Sequence, residues 1–376
     1  MSDRLKVRVG RTQISDAVHA ADAIREQTRQ DAASVMFLFC SPRYDLDRLG
    51  EAINEYFDCP VLACTTAGEF SSAGYTSGGI VAASLASPEL TARTLLIDDL
   101  PAFEAERARD QAQQWLSEQT VFDRDLSRNS FGLLLVDGLS MCEERLAAAL
   151  DMSFCGLPIA GGSAGDDLAF EQTRVYHGGK FHSGAAVFAL VQTTLPFKVF
   201  KSQHLEPTDR KVVITASDPR TRTVSEIDGI PAAVAYASAV GVEVEELTPE
   251  TFSTHPVVLR VGGNDFVRSI QKVNPDGSLT FYCAIDDGLV LTVARGEDLT
   301  GSIERVFTDL RQEIPGLSFI LAYDCILRRL EAQRLGLMES IKSIVEPYDL
   351  VGFSTYGEQC DSLHVNQTLT GVAIGQ

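Results

Sequence analysis

Three short stretches place a carboxylate directly after a glycine at the end of an apolar run: Gly68-Glu69 in LACTTAGEF, Gly165-Asp166 in IAGGSAGDDL and Gly357-Glu358 in LVGFSTYGEQ. A carboxylate so placed can act as a general acid or base, or hold an ammonium group. Three copies spread along one chain repeat too regularly to build a single catalytic centre. GGSAGD lacks the closing Lys-Ser/Thr of a phosphate loop, and GxSxG is absent in the setting a hydrolase requires. The residues with metal chemistry are six histidines, at 19, 177, 182, 204, 255 and 364, and eight cysteines, at 40, 59, 64, 142, 155, 283, 325 and 360. No CxxC occurs, which removes a paired-cysteine zinc site, and no CxxCH, which removes covalent haem attachment. Cysteines lying in apolar runs read as reduced structural thiols. Catalysis is the weakest reading of these residues, and we expect no enzyme.

The elements that must position them repeat. SVMFLFC (34–40) is a continuous apolar run fit for a strand buried on both faces, DLDRLGEAINEYF (45–57) has helical spacing, and VLACTT (61–66) is a second buried strand ending in the first Gly-acid step. FGLLLVDG (131–138), SMCEERLAAALDM and LPIAGGSAGDD repeat the order. LSFILAYDC (317–325), a helix over 326–345 and DLVGFSTYGEQ repeat it again, with Asp137 and Asp324 in the same place at the end of the first strand. The unit is a parallel crossover, in which glycine lets the chain leave the sheet and the carboxylate lies where a helix or loop begins. Between the copies lies antiparallel material. GGIVAASLA and LTARTLLI read as a strand pair, VYHGGKFH has a Gly-Gly turn, and NPDGS (274–278) is a strong hairpin signal. The fold class is α/β: two tightly joined mixed α/β domains with repeated strand-helix-strand units and antiparallel hairpins, divided near residues 195–215.

The chain has 376 residues, 45% of them hydrophobic, and a formal net charge of −20. That length favours two domains over one core. No stretch of about 18 apolar residues suggests a membrane span, and the N-terminal SDRLKVRVGRTQ has no signal core, so a cytoplasmic location is expected. Excess negative charge repels nucleic acid and favours basic partners.

Several longer stretches, in order, resemble the FIST sensory domains. TTAGEF (65–70), GGSAGDD (161–167) and VYHGGKFHSGAAV (175–187) are similar to the N-terminal half. EIDGIPAAVAYASAVG (226–241), VGGNDFVRSIQKVNPDGSL (261–279), DCILRRLE (324–331), GFSTYGEQ (352–359) and HVNQTLTGVAIG (364–375) are similar to the C-terminal half. The resemblance implies an N-terminal sensory domain over 15–205 and a C-terminal one over 206–376. It also implies a small-molecule input module that reports to a signalling partner. Amino acids are one ligand class it suggests. A stand-alone branch of the family senses nitric oxide through non-covalent haem b and acts on a histidine kinase or a cyclic-di-GMP enzyme, and this chain is similar to it in carrying no fused output segment. A homodimer is left open.

A haem sensor needs an axial imidazole, an apolar slot and cations near the propionates. On this reading His204, in FKVFKSQHLEPTDRK at the crossing between domains, is the favoured iron ligand. Phe200 would pack on the porphyrin, and Lys201 and Arg210 would meet propionates. His177, His182 and His364 are alternatives. His177 and His182 flank the Gly-Gly turn and fit a plain hairpin equally well, and His364 serves the fold as easily as iron. For an amino-acid-like ligand the polar set is Arg268 with Ser269, Asp324, Arg328, Tyr356, Glu358, Asn366 and Thr368, with arginine forking a carboxylate and an acid holding the ammonium. The structural alternative for Arg328 and Asp324 is an ion pair on a helix surface.

Overall fold

A computed structural model describes residues 4–119, 126, 128–261 and 264–376, the side chains at 261 and 264 excepted, so Gly262 and Gly263 of the VGGN motif lie outside the described residues. The three apolar strands are buried because each is covered on both faces. In Val35–Cys40, Phe37 and Phe39 point to a central core while Met36, Leu38 and Cys40 meet an outer helix layer. Ser130–Val136 divides the same way, Phe131, Leu133 and Leu135 inward, Leu134 and Val136 outward. Phe319–Cys325 follows, with Phe319, Leu321 and Tyr323 inward. Alternation of period two thus serves two apolar layers at once, and the run reads as uniformly hydrophobic.

Each strand is followed by a helix and a parallel neighbour. The parallel pairs are Val35–Cys40 with Val61–Thr65, Ser130–Val136 with Ile159–Ser163, and Phe319–Cys325 with Leu350–Thr355. A return strand then pairs antiparallel with the first of them, Ile80–Ala86, Ala186–Thr193 and Thr368–Ile374 in turn. On its far side sits an edge strand, Lys6–Thr12, Leu90–Ile97 or Phe197–Gln203. GGIVAASLA and LTARTLLI are therefore both strands but not partners. They belong to successive units, because each closes its own sheet.

Between the parallel strand and the return strand each unit sends out a hairpin, and the hairpin joins another unit's sheet. Glu69–Ser71 pairs with Leu350–Thr355, Val175–His177 with Val61–Thr65, and Glu358–Cys360 with Ile159–Ser163. First to third, second to first, third to second: the three units close a ring around the shared core. The backbone at the crossings repeats, Ala67 N–H to Ser354 O (3.0 Å), Gly165 N–H to Thr65 O (3.1 Å) and Tyr356 N–H to Ser163 O (3.1 Å).

This geometry corrects four expectations. Gly165 takes the place of Ala67 and Tyr356, one residue out of step with the other Gly-acid pairs. Asp324 pairs with Ser354 inside its strand, whereas Asp137 follows the strand end one position later. They are not equivalent, since one step along a strand reverses the face. The carboxylates Glu69 and Glu358 open crossing strands rather than helices or loops. The helix expected over 326–345 is two, Ile326–Arg334 and Met338–Val345. Gly336 lies between them at φ +68, and Leu337 N–H bonds back to Ala332 O (2.8 Å), a left-handed stop that glycine accommodates.

The third unit is interrupted. Between its edge strand and its helix Leu299–Glu313, the chain runs through residues 204–298 as an all-antiparallel sheet in the order Asn264–Arg268, Val257–Val261, Val290–Gly296, Leu205–Asp218, Thr223–Ile227, Leu279–Phe281, Ile270–Val273. Ile230–Pro231 pairs beside Thr223–Ile227, and the helices Ala232–Val240 and Pro249–Thr254 accompany the sheet. The NPDGS hairpin and the Gly-Gly hairpin form as expected. No described helix is long and apolar enough to cross a membrane.

Candidate functional site

Two polar clusters are buried where the inserted sheet meets the ring. The first holds its neck. The chain leaves the ring at His204 and returns at Gly296, with Leu205 and Gly296 paired and Glu297 N–H bonded to His204 O at 2.7 Å. His204 is 2% exposed. Arg328 Nη1 lies 2.7 Å from its Nδ1, and Glu331 Oε2 lies 2.7 Å from its Nε2. Burial pushes the imidazole pKa down, so it is neutral near pH 7. Arginine can only donate, so Nδ1 accepts and the ring proton sits on Nε2, facing Glu331. Arg328 Nε donates to Asp324 Oδ1 (2.7 Å), and the Tyr75 hydroxyl donates to Asp324 Oδ2. Arg328 and Asp324 are both fully buried, so the expected surface pair is an interior one.

These placements bear on haem. Both ring nitrogens of His204 are engaged. Phe200 packs in the third unit's outer layer with Leu369 and Ala373, Lys201 Nζ stands 5.0 Å over the Phe266 ring, and Arg210 donates to the carbonyls of Ser238 and Ala239 at 2.9 Å. As arranged, this set does not fit a porphyrin with His204 on its iron. His182 Nε2 contacts the His177 carbonyl at 3.1 Å across the hairpin, and burial lowers the His177 pKa. Among the described residues no three His, Cys, Asp or Glu side chains converge as a metal site.

The second cluster lies along the seam between the inserted sheet and the hairpin Glu358–Val365. Arg268 Nη1 reaches His364 O at 3.5 Å, and Ser269 N–H reaches Asn366 Oδ1 at 3.4 Å. Gln359 Nε2 donates to His364 Nδ1 (3.1 Å) and to Ser163 Oγ (2.9 Å). His364 is 1% exposed, and burial lowers its pKa. It is therefore neutral and, with Nδ1 accepting, presents N–H at Nε2. That atom, Asn366 Nδ2, Arg268 Nε and Ser269 Oγ are all buried and find no partner among the described residues. Two of them converge on Gly357, where an added Cβ would stand 2.6 Å from His364 Nε2 and 2.9 Å from Asn366 Nδ2. Buried donors normally have partners, and an isolated orphan costs about 1–3 kcal/mol. Four on residues in contact with one another make a donor-rich cradle. Arg222 closes the same seam, its Nη2 2.6 Å from both Glu143 and Glu144.

A strained loop borders the seam. Asp167, Leu168 and Phe170 all have positive φ, at 55°, 67° and 54°. Such conformations persist where surroundings over-determine them. Here Asp166 accepts N–H groups from Phe170, Glu171 and Gln172 at 2.7–2.9 Å, as well as the Tyr356 hydroxyl. Leu168 N–H in turn donates to the Tyr356 oxygen at 2.8 Å. The Phe170 ring stacks on Tyr356 at 4.8 Å and tilts toward Tyr282 at 6.2 Å. Tyr282 N–H bonds to Ser269 O, and Tyr356 adjoins Gly357, so the aromatic trio is contiguous with the cradle.

The amino-acid-binding set expected from sequence thus divides among four places. Arg268 and Asn366 meet in the seam, with Ser269 and His364. Asp324 and Arg328 belong to the neck, and Tyr356 to the loop. Glu358 and Thr368 brace a ring crossing. Glu358 accepts the Thr355 hydroxyl, Thr368 N–H (3.1 Å) and Thr368 Oγ1–H (2.7 Å), and burial pushes its pKa up to about 8. Glu69 does the same with Thr66, Thr76 and Gly79 N–H, its pKa raised to about 7, again chiefly by burial. Sequence reading missed Phe170, Tyr282 and the Arg222–Glu143–Glu144 group. An apolar Leu-Ala-Phe inside the otherwise polar GDDLAFEQ was the signal for the first of these.

Compared with known families, residues 34–230, more than half of the chain, match the FIST N domain, and residues 232–361 match the FIST C domain. The chain belongs to the FIST family. FIST domains are sensory domains for small ligands in signalling proteins and typically signal to partner proteins. The chain is also similar to uncharacterized protein MJ1623 of Methanocaldococcus jannaschii, 19% identical over 317 residues, which is 80% of this chain and 60% of that protein. The chain thus spans less than two thirds of that relative's length.

Proposed function

We propose that this FIST protein senses a small carboxylate ligand of the amino-acid class, held in the seam between ring and inserted sheet. The observation that carries the reading is a set of four unpartnered buried donors on residues in contact with one another, Arg268 Nε, Ser269 Oγ, His364 Nε2 and Asn366 Nδ2. A carboxylate offers about four lone-pair sites to such donors and needs no counter-ion beyond the arginine. A ligand between two bodies joined by one neck shifts their relative set by its differential affinity for the two arrangements, and a partner protein reads the change. A histidine kinase or cyclic-di-GMP enzyme is the partner to test first. With a net charge of −20, its contact face is expected to be basic and its association to slow with salt.

Calorimetric titration of the full chain with the common amino acids tests this. One or a few should bind saturably, and Arg268→Ala and Asn366→Ala should each weaken them at least about tenfold. If no amino acid binds, or both variants bind as the parent does, the reading falls. An absorption spectrum tests the haem reading beside it. A Soret band that moves with nitric oxide and vanishes in His204→Ala would replace the amino-acid ligand with haem, and would require Arg328 and Glu331 to release the imidazole.

A further inference from the structure

A separate concavity lies away from the seam residues. It is a half-open cleft of about 960 Å³ at the amino-terminal ends of the strands Phe319–Cys325 and Leu350–Thr355, where the first unit's edge strand meets the third unit. Its walls carry four cations, Lys6, Arg8, Arg29 and Arg311, all exposed. None of their side chains has a hydrogen bond or ion pair among the described residues. In a chain with 52 acidic and 32 basic side chains, cations that gather without carboxylate partners are unexpected.

The ring's own repetition sharpens the point. Arg8, Arg93 and Lys198 take equivalent places in the three edge strands, opposite Ser84, Leu190 and Ala373, which on their other side face Met36, Gly132 and Ile320, the first residues of the three parallel pairings. Lys198 is paired with Glu313, and Arg93 Nη1 bonds the Ala92 carbonyl at 2.8 Å. Two copies satisfy their cation within the protein, and the third turns it to the cleft with Arg29 beside it.

The other walls are of different chemistry. Tyr348 is held by an edge contact with Phe307, ring centroids 5.1 Å apart, and Pro347 adjoins it, which makes a fixed flat apolar wall. Asp31, Glu346 and Asp349 line the same cleft. Carboxylates at this density oppose a bare polyanion such as nucleic acid, but they accept hydrogen bonds from hydroxyl groups. Cations for phosphate, acceptors for a sugar and an aromatic wall for a ring are the three recognitions a nucleotide asks for. The volume is of the order that small-molecule sites occupy.

We propose that this cleft binds a nucleotide, its phosphates among Arg8, Arg29 and Arg311, its base against Tyr348, and its ribose hydroxyls at Asp349. The site is independent of the seam and places a second input on the same ring.

The test is calorimetric titration of the full chain with ATP, AMP and pyrophosphate at about 50 mM and about 300 mM salt. ATP should bind saturably, more tightly than pyrophosphate and more tightly at low salt. The double substitution Arg29→Ala/Arg311→Ala should weaken ATP at least about tenfold, since each charge-assisted contact is a large fraction of such an affinity. Both side chains are exposed, so folding should survive, and circular dichroism checks it. Tyr348→Leu should weaken ATP but not pyrophosphate. Absence of saturable ATP binding overturns the proposal, as does an unchanged affinity in the double variant. Equal affinity for pyrophosphate and ATP overturns the nucleotide assignment. Amino-acid titration of the double variant should match the parent, which separates failure here from failure of the seam reading.

Discussion

The neck and the seam are both buried, both polar, and both join the inserted sheet to the ring, yet they are built to opposite ends. At the neck, Tyr75, Asp324, Arg328, His204 and Glu331 form one chain of hydrogen bonds between side chains, with Arg328 Nη2 left as its unpartnered buried donor. At the seam, Arg268, Ser269, His364 and Asn366 touch one another through backbone groups and long contacts, and leave their best donors unused. A closed network fixes geometry, and an open one recognises something else. The contrast fits a neck that holds the sheet and, on the function proposed above, a seam that binds.

The sharpest way to break this contrast is to remove one arginine from each place. Arg328→Met leaves Asp324 and Glu331 buried beside a neutral imidazole, and loss of one partner of a buried pair costs about 3–5 kcal/mol. Urea unfolding should show that loss. Arg268→Ala removes an arginine whose one side-chain bond beyond its own strand, among the described residues, is 3.5 Å long, so its stability cost should stay below about 1 kcal/mol while ligand binding is lost. Equal destabilisation by the two variants would mean that the seam, too, is structural.

Titration sharpens it next. Burial holds the His204 pKa below its ordinary value, so its contribution to stability is complete above the unfolded-state pKa of about 6.5 and is lost as pH falls toward the folded-state value. Thermal melts should show an acid-side decline, and His204→Gln should flatten it. Glu358 has the opposite sign. Its pKa is raised to about 8, so the native state holds the proton more tightly than the unfolded chain. Wild-type stability should therefore fall as pH rises from about 4.5 to about 8, and Glu358→Gln should remove that part of the slope. If the slope is unchanged in the variant, the carboxylate at the crossing is ionised throughout.

Much of this architecture is legible in the sequence, and the rest is hidden for definable reasons. VMFLFC, FGLLLV and FILAYDC betray strands because two apolar layers erase the usual alternation. The hairpins announce themselves through Gly-Gly and NPDGS. Which sheet each hairpin joins is not written locally: Glu69–Ser71 pairs with a strand some 280 residues later, and only the closed ring explains the choice. The offset between Asp137 and Asp324 is a matter of register, which residue type does not carry. The site shows the same boundary. Arg268 and Asn366 stand out by type, as does His204, but whether a buried nitrogen is free or engaged depends on Glu331 and Arg328, 124 and more positions away.

The smallest expected effect is at the loop 166–172, and it tests whether the seam has a gate. Phe170 is about one-third exposed, so truncating it to alanine forfeits mainly its stacking on Tyr356, about 0.5–1.5 kcal/mol. The carboxylate of Asp166 still ties three loop N–H groups, and the global melting temperature should barely move. Locally the consequence is larger, because three residues with positive φ lose one of the contacts that hold them there. Amide exchange at 166–172 should quicken in Phe170→Ala, and amino-acid dissociation should quicken with it while the cradle stays intact. Faster exchange with unchanged dissociation would make the loop a strained rim beside the seam rather than its cover.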